Sequence, residues 1–293
     1  MSLPHEPGNG ASDLGAPDLS ELAEAEAAAS QRAAGPARLS QRQRERIAPW
    51  VLLVVVLVLW EGICRGFAVP EYLFPAPSAV ADKLWEFRVV IAGHAWRTFW
   101  VTMVGFGISI VVGTLLGFVI GSSRMAYAAT YPLMTAFNAL PKAAFIPVLV
   151  VWLGIGVGPA VLTAFLISFF PITVNIATGL ATLEPELEDV LRVLGARRWD
   201  VLVKVGLPRS MPYFYASLKV AITLAFVGTT VSEMTAANEG IGYLLMSAGS
   251  SMQMGIAFAG LVVVGAMAMA MYELFAAIEK RTTAWAHRSA GGG

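Results

Sequence analysis

The feature that most constrains this 293-residue chain is a series of long stretches with almost no charge. A helix needs roughly 20 mainly apolar residues to cross the hydrocarbon layer of a bilayer. Six stretches are long enough: about 47–66, 98–121, 127–153, 159–181, 213–235 and 255–278. In lipid every backbone N–H and C=O must find a partner within the protein, so such runs fold as spanning helices. Composition agrees, with 57% apolar and 14% charged residues, against about 45–50% and about 25% in soluble domains. The expected fold class is an all-α polytopic membrane protein with about six transmembrane helices. Lys+Arg and Asp+Glu both number 20, so no basic excess exists to neutralise phosphates and a nucleic-acid binder is excluded. The one cysteine, Cys64, excludes an internal disulfide and a four-cysteine metal site, and no metal is expected.

Residues 1–46 differ from the rest. They are rich in Ala, Glu, Pro and Gly, lack aromatics and include the run ELAEAEAAAS at 21–30. This composition reads as a disordered cytoplasmic tail ahead of a transmembrane domain at 47–290. It is not a secretory signal, because the first apolar run starts only near Ile47, after Arg38, Arg42, Arg44 and Arg46. Those arginines are expected to hold the amino terminus inside. Six spans return the chain to the same side, where Arg124, the group Arg192, Arg197, Arg198, Lys204 and Arg209, and finally Lys280, Arg281 and Arg288 lie. The outer loops at 154–158 and 236–252 contain no Lys or Arg; only the first outer loop is basic, with Arg65, Lys83, Arg88 and Arg97. Both termini are therefore placed in the cytoplasm.

Several spans carry local marks. Span three holds Pro132, Pro141 and Pro147, and span four holds Pro171; each proline removes a backbone donor and favours a kink. Span two carries Ser109, Gly113, Gly117 and Gly121 at four-residue spacing, a stripe for close helix packing. The segment 77–90 is amphipathic, with Trp85 expected at headgroup level. The loop 236–252 reads either as a short helix near the external mouth or as an ordinary flexible loop.

The inner loop from about Thr182 to Met211 is too long for a simple connector and is patterned. Pro185 and Glu186 suit a helix start, while Leu187, Val190 or Leu191, and Leu194 recur at helical spacing. Gly195 is a natural left-handed stop. A second short helix is expected over about Trp199–Val205, ended by Gly206-Leu207-Pro208. One side of this helix, turn and helix is apolar, and a partner docking there would cover it.

The string LEPELEDVLRVLGARRWDVLVKVGLP at 183–208 resembles the EAA loop of the permease subunits of binding-protein-dependent ABC importers. In that motif a glycine follows an acidic residue by six positions and a nine-residue gap leads to Ile-x-Leu-Pro. Here these are Asp189, Gly195 and Val205-Gly206-Leu207-Pro208, with Val190 and Leu191 at the family's two alanine positions. FPAPSAV (74–80), ALPKAAFIPVLVVWLGIG (139–156), FFPITVNIATGL (169–180), AFVGTTVSEM (225–234) and EGIGYL (239–244) resemble the nitrate/sulfonate/taurine branch. The resemblance covers about residues 70–285. It implies a type I ABC importer permease fold in a bacterial inner membrane. It also implies that Glu186, Asp189, Val190, Leu191, Gly195, Ala196, Leu207 and Pro208 belong to a coupling loop seated on a cytosolic ABC ATPase. The implied partners are two ATPase copies, an external or periplasmic substrate-binding protein and a second permease copy. The chain has no G-x-x-x-x-G-K-[ST] phosphate loop. It is therefore not expected to be an enzyme or to bind a cofactor; ATP and Mg would be used by the ATPase.

Ionisable and amide side chains inside spans are candidates for a translocation path, since a central charge costs about 2.5–3.5 kcal/mol on insertion scales. Lys142 follows Pro141 midway along span three, beside Asn138. It either meets a small anion in passage or satisfies carbonyls freed by the prolines. Asn175 in span four reads as interhelical glue or as path lining. Glu233, towards the outer end of span five, either lines an outer gate or binds the 236–252 loop. Asn138, Lys142, Asn175 and Glu233 are thus the path candidates. A rival reading makes the chain a stand-alone secondary transporter or channel using Lys142, Glu233 and Asn175. An intramembrane enzyme finds no support, because His5, His94 and His287 form no H-E-x-x-H motif.

Overall fold

The structure, a computed structural model, describes residues 41–181, 191 and 193–283. It divides between Leu59 and Trp60 into two compact units. The first holds most of α1 (Gln41–Gly66), whose apolar side chains from Trp50 to Leu59 are exposed, as lipid contact requires. The second contains α2 (Pro77–Glu86), α3 (Arg88–Gly121), α4 (Arg124–Ala139), a 3₁₀ turn (Lys142–Phe145) and α5 (Ile146–Leu153). It continues through α6 (Val157–Ala181), the short α7 (Arg198–Val201), a π turn (Leu202–Gly206), α8 (Leu207–Ala236), α9 (Ile241–Ser250) and α10 (Met254–Thr282). No strand occurs among the described residues.

Helices α3, α6 and α8 form the centre of the second unit. Phe106, Ile172, Ile176, Leu218, Ile222 and Phe226 make its buried core. The glycine stripe of α3 lets α6 approach closely. A Cβ added at Gly117 would lie 2.8 Å from the Thr173 carbonyl oxygen and from Ile176 Cβ, and one at Gly121 would lie 2.8 Å from Leu180 Cβ. Ser109 hydroxyl sits 2.6 Å from that of Ser168. Gly105 faces Ala164 and Gly121 faces Leu180, so numbers rise together and the two helices run parallel. Gly179 faces Ser210 and Gly228 faces Ala164, so α8 runs antiparallel to α6.

The parallel pairing of α3 and α6 decides how span three works. Between them the chain must return from the Gly121 end to the Val157 end. It does so through α4 and the Lys142–Leu153 segment, which meet at a bend of 72°. Counting that pair as one span gives six crossings: Ile47–Gly66, Arg88–Gly121, the bent pair, Val157–Ala181, Val203–Ala236 and Met254–Thr282. The bend follows from Pro141. Proline pushes the preceding residue out of the helical region, and Leu140 is extended at φ −69°, ψ 134°. Pro147 instead falls in the first turn of α5, where its missing N–H has no intrahelical partner to lose. Pro132 and Pro171 lie inside α4 and α6 without ending either helix.

Two expectations are corrected. The chain does not stop at Gly206-Leu207-Pro208. It passes through the π turn into α8, so span five begins about ten residues early, at Val203. Pro208 lies in the first turn of α8, where a proline costs little, so this sequence lets the helix start there. The 236–252 loop is not flexible connection: α9 occupies Ile241–Ser250, with Ile241, Gly242, Leu244 and Ala248 buried.

Candidate functional site

The loop from about Thr182 to Met211 is seen in part. Glu186, Asp189 and Val190 lie outside the described residues. Gly195 has φ +90°, and Ala196 N–H donates to the Leu191 carbonyl at 3.0 Å. A left-handed residue followed by a bond across five residues is the Schellman way of ending a helix. Glycine takes this φ without a Cβ penalty. The turn leaves Val193 and Leu194 88% and 77% exposed, so two adjacent apolar side chains stand in the open at the helix end. Leu207 and Pro208 stand in the first turn of α8, half-buried and exposed respectively. The coupling-loop candidates that are described thus fall on a stop, a turn and a span start.

Among the path candidates, Asn138 and Lys142 come together. Lys142 Nζ donates to the Asn138 backbone oxygen at 3.0 Å and to Asn138 Oδ1 at 2.9 Å. It also faces the ring of Phe170 at 5.7 Å. The ammonium therefore closes the C-terminal end of α4 at the bend, on the carbonyl and side chain of Asn138, with one of its three donors left over. Asn175 is not joined to it. Its Nδ2 donates to the Pro171 carbonyl of its own helix at 2.8 Å, a bond within α6 rather than between helices.

Glu233 lies elsewhere, in the last turn of α8, and is 2% exposed. It belongs to a junction that fastens α9. Gly240 N–H donates to His94 Nδ1 (3.1 Å), Ile241 N–H to Thr98 Oγ1 (2.7 Å) and Gly242 N–H to Glu233 Oε2 (3.0 Å). Thr98 hydroxyl donates in turn to Glu233 Oε2 at 2.8 Å. Three successive backbone donors at a helix start, which have no intrahelical partner, are thus held by side chains of α3 and α8. Gly240 has φ +101°, and a Cβ there would collide with the Glu233 carboxyl group. A cavity of about 230 Å³ adjoins the junction, lined by Arg97, Glu233, Asn238 and Glu239 among others, and Arg97 pairs with Glu239 at 3.2 Å. Of the two readings of Glu233, binding the 236–252 segment is what the geometry displays. Sequence reasoning missed Thr98 and Thr102, the latter paired with Thr229 at 2.9 Å. The available signal was the spacing of His94, Thr98 and Thr102, which puts three polar groups on one helix face.

A second missed feature is an ion pair between spans. Lys219 of α8 donates to Glu279 Oε2 of α10, both side chains are less than one-fifth exposed, and the ammonium faces the Tyr272 ring at 5.9 Å. A lysine midway along span five was its sequence signal.

Comparison with known proteins places the chain. The formylaminopyrimidine transport permease protein ThiX of Halalkalibacterium halodurans is 30% identical over 204 residues, covering 69% of this chain and 81% of the relative. The taurine transport system permease protein TauC of Escherichia coli is 24% identical over 244 residues, covering 80% and 87%. A chain of the MetNI methionine ABC transporter, solved in an inward-facing conformation, superposes with a TM-score of 0.59 at 17% identity over 67% of this chain and 98% of that one, a likeness of fold. Residues 109–284 match the model of the binding-protein-dependent transport system inner membrane component, and the chain belongs to that family of ABC importer permeases.

Proposed function

We propose that this permease forms, with a second copy of itself, the path for a small anion such as a sulfonate, taurine, nitrate or a carboxylate. Passage is by alternating access, driven by ATP hydrolysis in two cytosolic ABC ATPase subunits that use ATP and Mg. An external or periplasmic binding protein delivers the substrate, and both termini lie in the cytoplasm of a bacterial inner membrane. The observation that carries the coupling is the glycine-stopped helix end at 191–196 with Val193 and Leu194 exposed. Exposed apolar groups at a rigid helix end suit a groove in a partner. A helix end held this way transmits rigid-body motion to the span that follows, here α8. The anion reading rests on the spare donor of Lys142 at the bend and on the sulfonate carried by taurine, the cargo named for one relative. The formylaminopyrimidine named for another keeps small polar heterocycles as competitors in the same assay.

The test is reconstitution with the cognate ATPase and binding protein. Gly195→Val places a β-branched residue at φ +90°, a strain of about 1–3 kcal/mol. It should lower ATPase association about tenfold or more and abolish substrate-stimulated hydrolysis while membrane insertion is kept. An unchanged active complex refutes the coupling assignment. Concentrative uptake by the permease alone in proteoliposomes would instead favour the stand-alone carrier. Against that carrier stands the separation of its relay: Asn175 bonds within α6 and Glu233 within the α9 junction.

A further inference from the structure

A groove of about 610 Å³ runs between α2, α3 and α10, lined by Leu84, Trp85, Arg88, Trp96, Phe99 and Met267 among others. Its walls are apolar except at one end. There Arg88 lies over the ring of Trp85, 4.7 Å from guanidinium carbon to centroid, and donates one N–H to the Trp85 carbonyl at 2.8 Å. Among the described residues no carboxylate pairs with Arg88. The guanidinium carries five donors, so most remain unused. Arg88 is thus a held cation without a counter-charge at the mouth of an apolar trough.

The dimensions identify what fits. Arg88 begins α3, and Phe99 lies eleven residues further along the same helix, about 16 Å at 1.5 Å per residue. Half of a hydrocarbon core of about 30 Å is about 15 Å. The groove is therefore about as long as one leaflet is deep. Trp85 at its mouth is 72% exposed and Trp96 along its wall is 62% exposed, and tryptophans mark the headgroup boundary of spanning proteins. Arginine forms paired hydrogen bonds to phosphate oxygens.

We propose that this groove is a binding site for one phospholipid of the outer leaflet, with its phosphate on Arg88 and an acyl chain along Ala92, Ala95, Phe99 and Met267. Trp85 holds the guanidinium at headgroup height. Neither the alternating-access cycle nor the coupling loop uses these residues, so the proposal stands independently of the transport reading.

The test uses the full chain purified in mild detergent and titrated with phosphatidylglycerol under native mass spectrometry. The wild type should retain one lipid per chain. Arg88→Gln should lower retention by about fivefold, the scale of one basic residue near a membrane surface. Ala95→Trp, which fills the trough and keeps the cation, should lower it as well. Inorganic phosphate alone should not compete at millimolar concentration; if it does, the site is an anion site and the lipid assignment fails. A photoactivatable phosphatidylglycerol added to the unaltered protein should label peptides containing 85–99 and 263–267. Labelling confined to other segments overturns the proposal without reference to any variant. So does equal retention by Arg88→Gln, or cross-linking through cysteines at Ala92 that shows a second copy of the chain filling the groove.

Discussion

At the scale of single residues, buried hydrogen bonding decides which polar groups are structural. Glu233 accepts from Thr98 and from Gly242, so Glu233→Leu leaves a buried O–H and a helix-start N–H without their acceptor. Each such loss costs about 1–3 kcal/mol. A fall in melting temperature in detergent, with Glu233→Gln closer to wild type because its amide oxygen still accepts, is the expected result. Gly240→Val meets the same carboxylate from the other side and should unseat α9, read as faster hydrogen exchange over 241–250. Lys142→Met removes both bonds to Asn138. It should impair uptake more than folding, and wild-type uptake kinetics would remove Lys142 from the path. The sequence made Lys142, Asn175 and Glu233 legible as candidates, since polar groups in apolar spans are conspicuous. Their partners were not legible. A bond between Glu233 and Thr98 joins residues 135 apart in the chain, and no local pattern encodes which distant donor meets which acceptor.

At the scale of helices, small residues and prolines set the packing. The stripe Gly113, Gly117 and Gly121 lets α3 lie against α6 at backbone distance. Gly117→Leu has to push Ile176 and the Thr173 carbonyl aside, an overpacking cost of typically about 1–3 kcal/mol. Thermal unfolding in detergent should show it, whereas Gly107→Leu, with open space around its Cβ position, should change little. The Lys219–Glu279 pair ties α8 to α10. Removing one partner of a fully buried pair costs about 3–5 kcal/mol; the residual exposure here makes the expected loss smaller. Lys219→Met should destabilise more than the double change Lys219→Met with Glu279→Gln, and equal stabilities would deny the pair an energetic role. At this scale the sequence was a good guide to the existence of spans and of the close-packing stripe. It misjudged span five, because Gly-Leu-Pro reads equally as a helix stop and as a helix start. Only what the residues before it pack against distinguishes the two.

At the scale of the whole molecule, the order of the crossings follows from packing direction, and the proposed orientation rests on charge. Cysteine-scanning on a Cys64→Ser background tests it: a cysteine at Asn238 should react with impermeant maleimide from outside intact cells, and one at Val193 only after permeabilisation. The reverse pattern would invert the orientation. The sequence by itself determined that this is a helical membrane protein, roughly where it crosses and which family it joins. Those properties follow from the length of apolar runs and from short contiguous motifs, both local. Tertiary structure decided that α3 and α6 run parallel, that span three is bent by 72° at Pro141, and that α9 is fastened by His94, Thr98 and Glu233. It also decided that Arg88, without a carboxylate partner among the described residues, stands at the mouth of an apolar groove. Each of these depends on which distant helix supplies the neighbouring atoms, and that choice is made by packing the whole chain at once.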